Sequence, residues 1–289
     1  MVKRFVALLV AFAALFIIFW TLRVLWPGAP QQRTFRRGFV TDCLYWFWTP
    51  LVTRAVTPVA VAIALLPFAM LFGMSLKELI GGHGSLAKQP LLVQGMEVFV
   101  LGDFLGYWQH RMFHRRALWR FHAIHHSSTE LDWLSSVRLH PVNDALSRLM
   151  VALPLVFAGF NTSVVAFYAP FTTFYAILVH ANVSWDYGPL RFVFASPSFH
   201  RWHHTSADEG QDKNFAGALP FWDLLFGTFY MPRRQPIVFG TKERIRENLL
   251  AHLIFPFRTT NSASRLLASR PGTHALDTPQ LANAQPRRC

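Results

Sequence analysis

Cysteine is nearly absent: Cys43 and Cys289 are the only two in 289 residues. That excludes a disulfide framework and any zinc or iron–sulfur site built on thiolates. Carboxylates are scarce as well, with 15 Asp and Glu against 28 Lys and Arg, for a formal net charge of +13. There is no His-Glu-x-x-His zinc protease motif. No glutamate precedes a histidine at Glu-x-x-His spacing, which sets aside the soluble ferritin-like di-iron centres. The basic excess would suggest nucleic acid if it formed patches on a soluble fold. Lys and Arg sit instead in short loops beside apolar runs, the pattern of cytoplasmic loops meeting anionic lipid, so no nucleic-acid partner is expected.

Apolar sequence is abundant. The chain is 52% hydrophobic, 15% aromatic and 15% charged, the composition of an integral membrane protein. Phe5 to Trp26 is a nearly unbroken apolar run closed by Pro27-Gly28-Ala29-Pro30. Lys3 and Arg4 would suit a signal peptide, but the run is about twice a typical h-region and has no small-x-small cleavage site, so a retained span is expected. Further spans are expected over Val52–Gly73, which tolerates Pro58 and Pro67, and over Leu91–Trp108, which carries Glu97 and Asp103. A hairpin of Leu146–Phe160 and Val164–Val179 turns at Gly159–Ser163. Arg33, Arg36 and Arg37 in a loop from Arg33 to Arg54 outweigh the two N-terminal charges, which places that loop in the cytoplasm and the N-terminus outside. Threaded on from there, every histidine cluster falls at one cytoplasmic membrane face.

The expected fold is all-α and integral to the membrane: a bundle of about four to five transmembrane helices under a cytosolic helical cap that holds a histidine-rich dimetal site. Residues 1–90 would form the N-terminal spans and basic loop, and 91–240 the catalytic domain. Residues 241–258 would carry an amphipathic interfacial helix over Thr241–Phe257, and 259–289 a polar, basic, disordered tail. The Arg-rich, Lys-poor composition leans toward a bacterial inner membrane.

Ten of the thirteen histidines lie between His110 and His204. Neutral imidazole suits iron, zinc or copper near neutral pH, and eight or more imidazoles are too many for one ion and about right for two. Asp103, Tyr107, His110 and His114 fall on one stripe of the third span, where the carboxylate and phenol are suited to support the imidazoles. His122, His125 and His126 recur at i, i+3 and i+4, so all three can share one helical face. His200, His203 and His204 repeat that spacing behind Ser196 as N-cap and Pro197 as first helical residue. His140, held extended by Pro141, could be a ligand, a supporting partner or structural. His180 ends a span and reads as a ligand, and Asn182 could support a metal-bound water or merely cap the helix end. His83, His252 and His274 are isolated and read as structural.

The runs His110-Arg-Met-Phe-His114, Phe121-His-Ala-Ile-His-His-Ser127, Arg138-Leu-His-Pro141, His180-Ala-Asn182, His200-Arg-Trp-His-His204, Asn214-Phe215 and Phe221-Trp-Asp-Leu-Leu-Phe-Gly-Thr-Phe229 resemble the fatty acid hydroxylase/sterol desaturase superfamily over about Leu91 to Gly240. The resemblance implies a membrane-bound, O2-dependent enzyme with two iron ions that hydroxylates or desaturates a lipid entering from the bilayer, such as a sterol or a fatty acyl chain. It implies metal binding by His110, His114, His122, His125, His126, His180, His200, His203 and His204. His140 departs from the pattern, since Asn143 stands where the family commonly has Glu, and Ser184 stands where the fatty acid 2-hydroxylase branch has a second histidine. No fused cytochrome b5 motif is present, so a separate electron donor is expected, of ferredoxin or cytochrome b5 type with its reductase. The alternative from another class is a membrane metal transporter or a non-catalytic metal-binding protein, which would need ionisable residues along a path at mid-span depth.

Overall fold

The computed structural model describes residues 2–258, and among them there is no β-strand, only isolated bridges at Pro27–Val183 and Thr205–Phe239. The tail expected to be disordered, 259–289, lies outside the described residues. Ten helices follow in order: α1 (Val2–Leu25), α2 (Phe39–Phe72), α3 (Leu76–Gly81), α4 (Leu91–Phe113), α5 (Arg116–His126), α6 (Pro141–Ala158), α7 (Thr162–His180), α8 (Pro197–His203), α9 (Phe221–Leu225) and α10 (Leu249–Ile254).

Four of these, α1, α2, α6 and α7, are long and apolar enough to cross a membrane. The helix expected over Leu91–Trp108 is present as the longer α4 but lies outside that set, because Gln94, Glu97 and Asp103 dilute its apolar run. It packs instead against α6 and α7, with Gln94 and Asp103 buried.

The loop expected over Arg33–Arg54 is a correction. Helix α2 begins at Phe39 and runs 34 residues, about 50 Å at 1.5 Å per residue, against a hydrocarbon core of about 30 Å. Its first turns are apolar because they form a core outside the expected span: the rings of Phe12, Phe19 and Trp46 lie 5.7–5.9 Å from Trp133. Nor is Arg36 a free loop cation. It is buried and bridges Asp42 and Asp132 at 2.6 Å each, while Arg138 pairs with the other oxygen of Asp42 at 2.6 Å and with Glu247 at 2.7 Å. Gly38 closes this network: it caps α2 at φ 81°, and a Cβ there would run into the Arg138 guanidinium. Removing one member of such a buried ion pair typically costs about 3–5 kcal/mol, because its partner is left charged and dry.

The hairpin α6–α7 turns where the sequence placed it. Gly159, at φ 112°, ends α6, and the Asn161 side chain accepts from Ser163 N–H to start α7. Gly81, His83 and Ile80 bond to this turn, so His83 sits at the hairpin's tip. The other ends, His140 and His180, carry the chain back to the remaining histidines. The interfacial helix expected over Thr241–Phe257 is confined to Leu249–Ile254 and a following 3-10 turn, Phe255–Phe257. Helix begins only at Asn248, whose side chain caps Ala251 N–H. Upstream, Glu243 is drawn to the Trp119 indole and Glu247 to Arg138.

Candidate metal centre

The chain gathers its imidazoles from four helices, α4, α5, α7 and α8. Helices α4 and α7 deliver His110 and His180 in their last turns, and the short helices α5 and α8 pack against α4 and α7 respectively. Helix α8 starts as its sequence indicates, with the Ser196 hydroxyl accepting from Phe199 N–H and Pro197 in the first position. Nine histidines then fall into two groups that could each hold a metal ion, every residue offering one nitrogen and these nitrogens lying within 4.8 Å of one another. One holds His110, His114, His122, His126 and His203; the other holds His125, His180, His200 and His204.

The two His-x2-His-His motifs are used in opposite senses. In α5 the i, i+4 pair His122 and His126 joins the five-histidine group and His125 joins the other; in α8 the pair His200 and His204 joins the four-histidine group and His203 crosses to the first. The 100° step between consecutive residues separates neighbours, while i and i+4 stay aligned. The groups adjoin, with the His126 ring stacked on that of His204 at 4.3 Å.

The hydrogen-bond pattern shows what the groups can hold. Nδ1 of His110 lies 2.8 Å from Phe215 C=O, Nδ1 of His203 2.8 Å from Lys213 C=O, and Nδ1 of His180 2.6 Å from Ala176 C=O. A carbonyl only accepts, so each of these Nδ1 atoms carries the proton and Nε2 is left as a bare lone pair. Those Nε2 atoms converge: His110 on His122 at 3.1 Å, His203 on His126 at 3.1 Å, and His180 on both His125 and His200 at 3.1 Å. His122–His126 and His200–His204, at 3.2 and 3.1 Å, join these contacts into two continuous chains of four imidazoles. Facing lone pairs repel unless a cation lies between them. Nitrogens bound about 2.1 Å from one ion, at right angles, stand about 3.0 Å apart, so the spacing fits a transition metal in each group. Burial, and then the neighbouring imidazoles, push His122, His125, His126, His200, His203 and His204 well below the usual imidazole value, which keeps these donors neutral.

Two side chains orient ligands directly. Asn143 Oδ1 accepts from Nδ1 of His122 at 2.9 Å, and Asp212 Oδ1 lies 3.0 Å from Nδ1 of His114. Such outer contacts typically change metal affinity by about 10–100-fold, and Asn143→Ala is expected to do so. Metal retained per chain across a chelator series measures it; retention equal to the wild type would remove the role.

The four supporting candidates act elsewhere. Asp103 accepts from Ala218 and Leu219 N–H at 2.8 and 3.0 Å, and Tyr107 meets Thr228 Oγ1 at 2.9 Å, so neither touches an imidazole. They brace the loop that presents Lys213 and Phe215 carbonyls, which Asp223 and Asn214 also pin. Asn182 does not face the histidines but bonds both ways to the backbone of Ala29. His140 lies outside both groups: its Nδ1 accepts from Val142 N–H at the start of α6 and its Nε2 meets Leu253 C=O. The sequence reading missed Asn143 and Asp212 as ligand partners. Asn143 lies in the first turn of α6 behind His140-Pro141, and its place where the family commonly has Glu is the hint of its role.

Residues 96–228 match the family model described as fatty acid hydroxylase. The ornithine lipid hydroxylase OlsE of Rhizobium tropici is 31% identical over 197 residues, 68% of this chain and 59% of that protein. The alkylglycerol monooxygenase of Danio rerio is 36% identical over 142 residues, covering 48% of this chain and 31% of its own length. The very-long-chain aldehyde decarbonylase GL1-5 of Oryza sativa subsp. indica is 32% identical over 139 residues, 44% and 22% respectively. The chain thus spans less than two thirds of the length of each of these relatives. No solved structure matches it.

Proposed function

The chain belongs to the fatty acid hydroxylase superfamily, and from that premise we propose that it is a membrane-bound, non-haem di-iron oxygenase that hydroxylates or desaturates a lipid using O2 and external electrons. The observation that carries the reading is the pair of converging lone-pair sets, each fixed by carbonyls that hold the Nδ1 protons. His110, His114, His122, His126 and His203 would hold one iron, and His125, His180, His200 and His204 the other. Two such ions supply redox chemistry that zinc lacks, the capacity to turn O2 against an unactivated C–H bond.

The chain's own residues set the conditions for that chemistry. Phe215, Lys213 and Ala176 carbonyls fix the tautomers, Asn143 and Asp212 orient His122 and His114, and burial keeps bulk water from the four-histidine group. Residues 91–240 form the catalytic domain in this reading, and residues 1–90 contribute the first spans. Electrons come from a separate ferredoxin or cytochrome b5 type donor with its reductase. The bacterial origin of the OlsE relative supports a bacterial inner membrane, with the histidine end in the cytoplasm. The transporter alternative lacks a path: Asp103 is committed to backbone N–H groups and Glu97 accepts from Gln89.

Purified protein reconstituted in lipid tests the proposal. Two irons per chain, no haem Soret band, and O2 consumption that needs both lipid and reductant are expected. Iron binding without lipid-dependent O2 uptake would leave a metal-binding protein and overturn the oxygenase.

A further inference from the structure

The two histidine groups differ in their access to water, and this difference rests on the dimetal reading above. A cleft of about 440 Å³ reaches His114, His126 and His203, all of the five-histidine group. No member of the four-histidine group lines it, and all four of those residues are buried. His114 Nε2 is buried without a hydrogen-bond partner, and its ring also lines the cleft. Arg115, Arg116 and Lys242 stand around the opening. Neither arginine is in an ion pair among the described residues, and the Lys242–Asp208 pair is exposed. Two carboxylates also line the opening, Asp212 bonded to His114 and Glu243 bonded to the Trp119 indole N–H, so the three cations outnumber them.

We propose that this cleft is the port through which water-soluble anionic ligands reach the five-histidine position, making its ion open and exchangeable while the four-histidine ion is occluded. Exchange at a metal requires an incoming donor within bonding reach, and among the described residues the cleft offers that to the five-histidine position, while the four-histidine group is buried. The cationic rim concentrates anions at the opening, an effect that salt screens.

Metal release from iron-loaded protein tests this, with iron per chain followed over time in EDTA, an anion, and in 1,10-phenanthroline, which is neutral. Half of the iron is expected to leave in a fast phase and half in a slow one. The double variant Arg115→Glu and Arg116→Glu should slow the fast EDTA phase about tenfold at low salt and leave the phenanthroline phase unchanged. Both arginines are exposed at the start of α5, where an acidic residue favours the helix dipole, so the fold is retained. Arg115→Lys with Arg116→Lys should behave as wild type. Release of both irons in one phase, or an EDTA rate indifferent to charge reversal, would overturn the port while leaving the di-iron reading intact. A protein that binds no iron would overturn that reading itself.

Discussion

Replacing His125 or His203 with alanine is expected to abolish turnover while the protein stays in the membrane. The two substitutions strike different groups. His125→Ala leaves His180, His200 and His204 in the four-histidine group, and His203→Ala leaves His110, His114, His122 and His126 in the other. Loss of a ligand should exceed the about 10–100-fold effect typical of outer contacts. Each variant removes a lone pair that stands 3.1 Å from its neighbour and opens a gap in a buried wall. His83→Ala, at the tip of the α6–α7 hairpin, is the control and should keep iron and activity. Iron per chain, membrane fractionation and lipid product together decide the matter; turnover retained in both ligand variants would discard the assignment.

Acidification should be nearly as damaging. His122, His125, His126, His200, His203 and His204 are held well below the usual imidazole value, by burial first and by neighbouring imidazoles second. In the unfolded chain the same groups titrate near about 6.5. Below that value the unfolded state binds more protons than the folded one, so stability falls as pH falls, by up to about 1.4 kcal/mol per group per pH unit. Protons also compete with metal for the same nitrogens, so the loaded form loses iron over the same range. Urea midpoints of the metal-free protein in detergent at pH 7.5, 6.5 and 5.5 should fall modestly between the first two and drop sharply at the third. A midpoint unchanged at pH 5.5 would contradict the burial of these rings as neutral donors.

Much of this site was legible as spacing. Clustered histidines at i, i+3 and i+4 have no common structural use, and the Ser196-Pro197 start of α8 follows from local chemistry alone. The allocation of ligands was not legible. One helical face can serve two adjacent centres, and only the tertiary structure, which brings His126 to His203 and His125 to His180, sends these neighbours to different groups. Backbone carbonyls such as those of Lys213 and Phe215 carry no residue signature, so the groups that fix the tautomers leave no trace in the sequence. Asp103 illustrates the opposite error: a carboxylate on the histidine stripe invited a direct role, yet its geometry serves the loop at Ala218. In the same way Arg36 counts as a loop charge in sequence but is neutralised inside the protein by Asp42 and Asp132, partners 6 and 96 residues away.

The division of ligands among helices also bears on the order in which a growing chain becomes able to capture metal. A nascent polypeptide that has emerged only as far as Ser127 already owns His110, His114, His122 and His126, four of the five donors at one position, but only His125 at the other. The second position gains His180 once the following hairpin has been inserted, and is completed only when α8 folds back. If the two groups hold metal as proposed, vectorial synthesis would favour filling the first position before the second exists, with His203 arriving late to complete it.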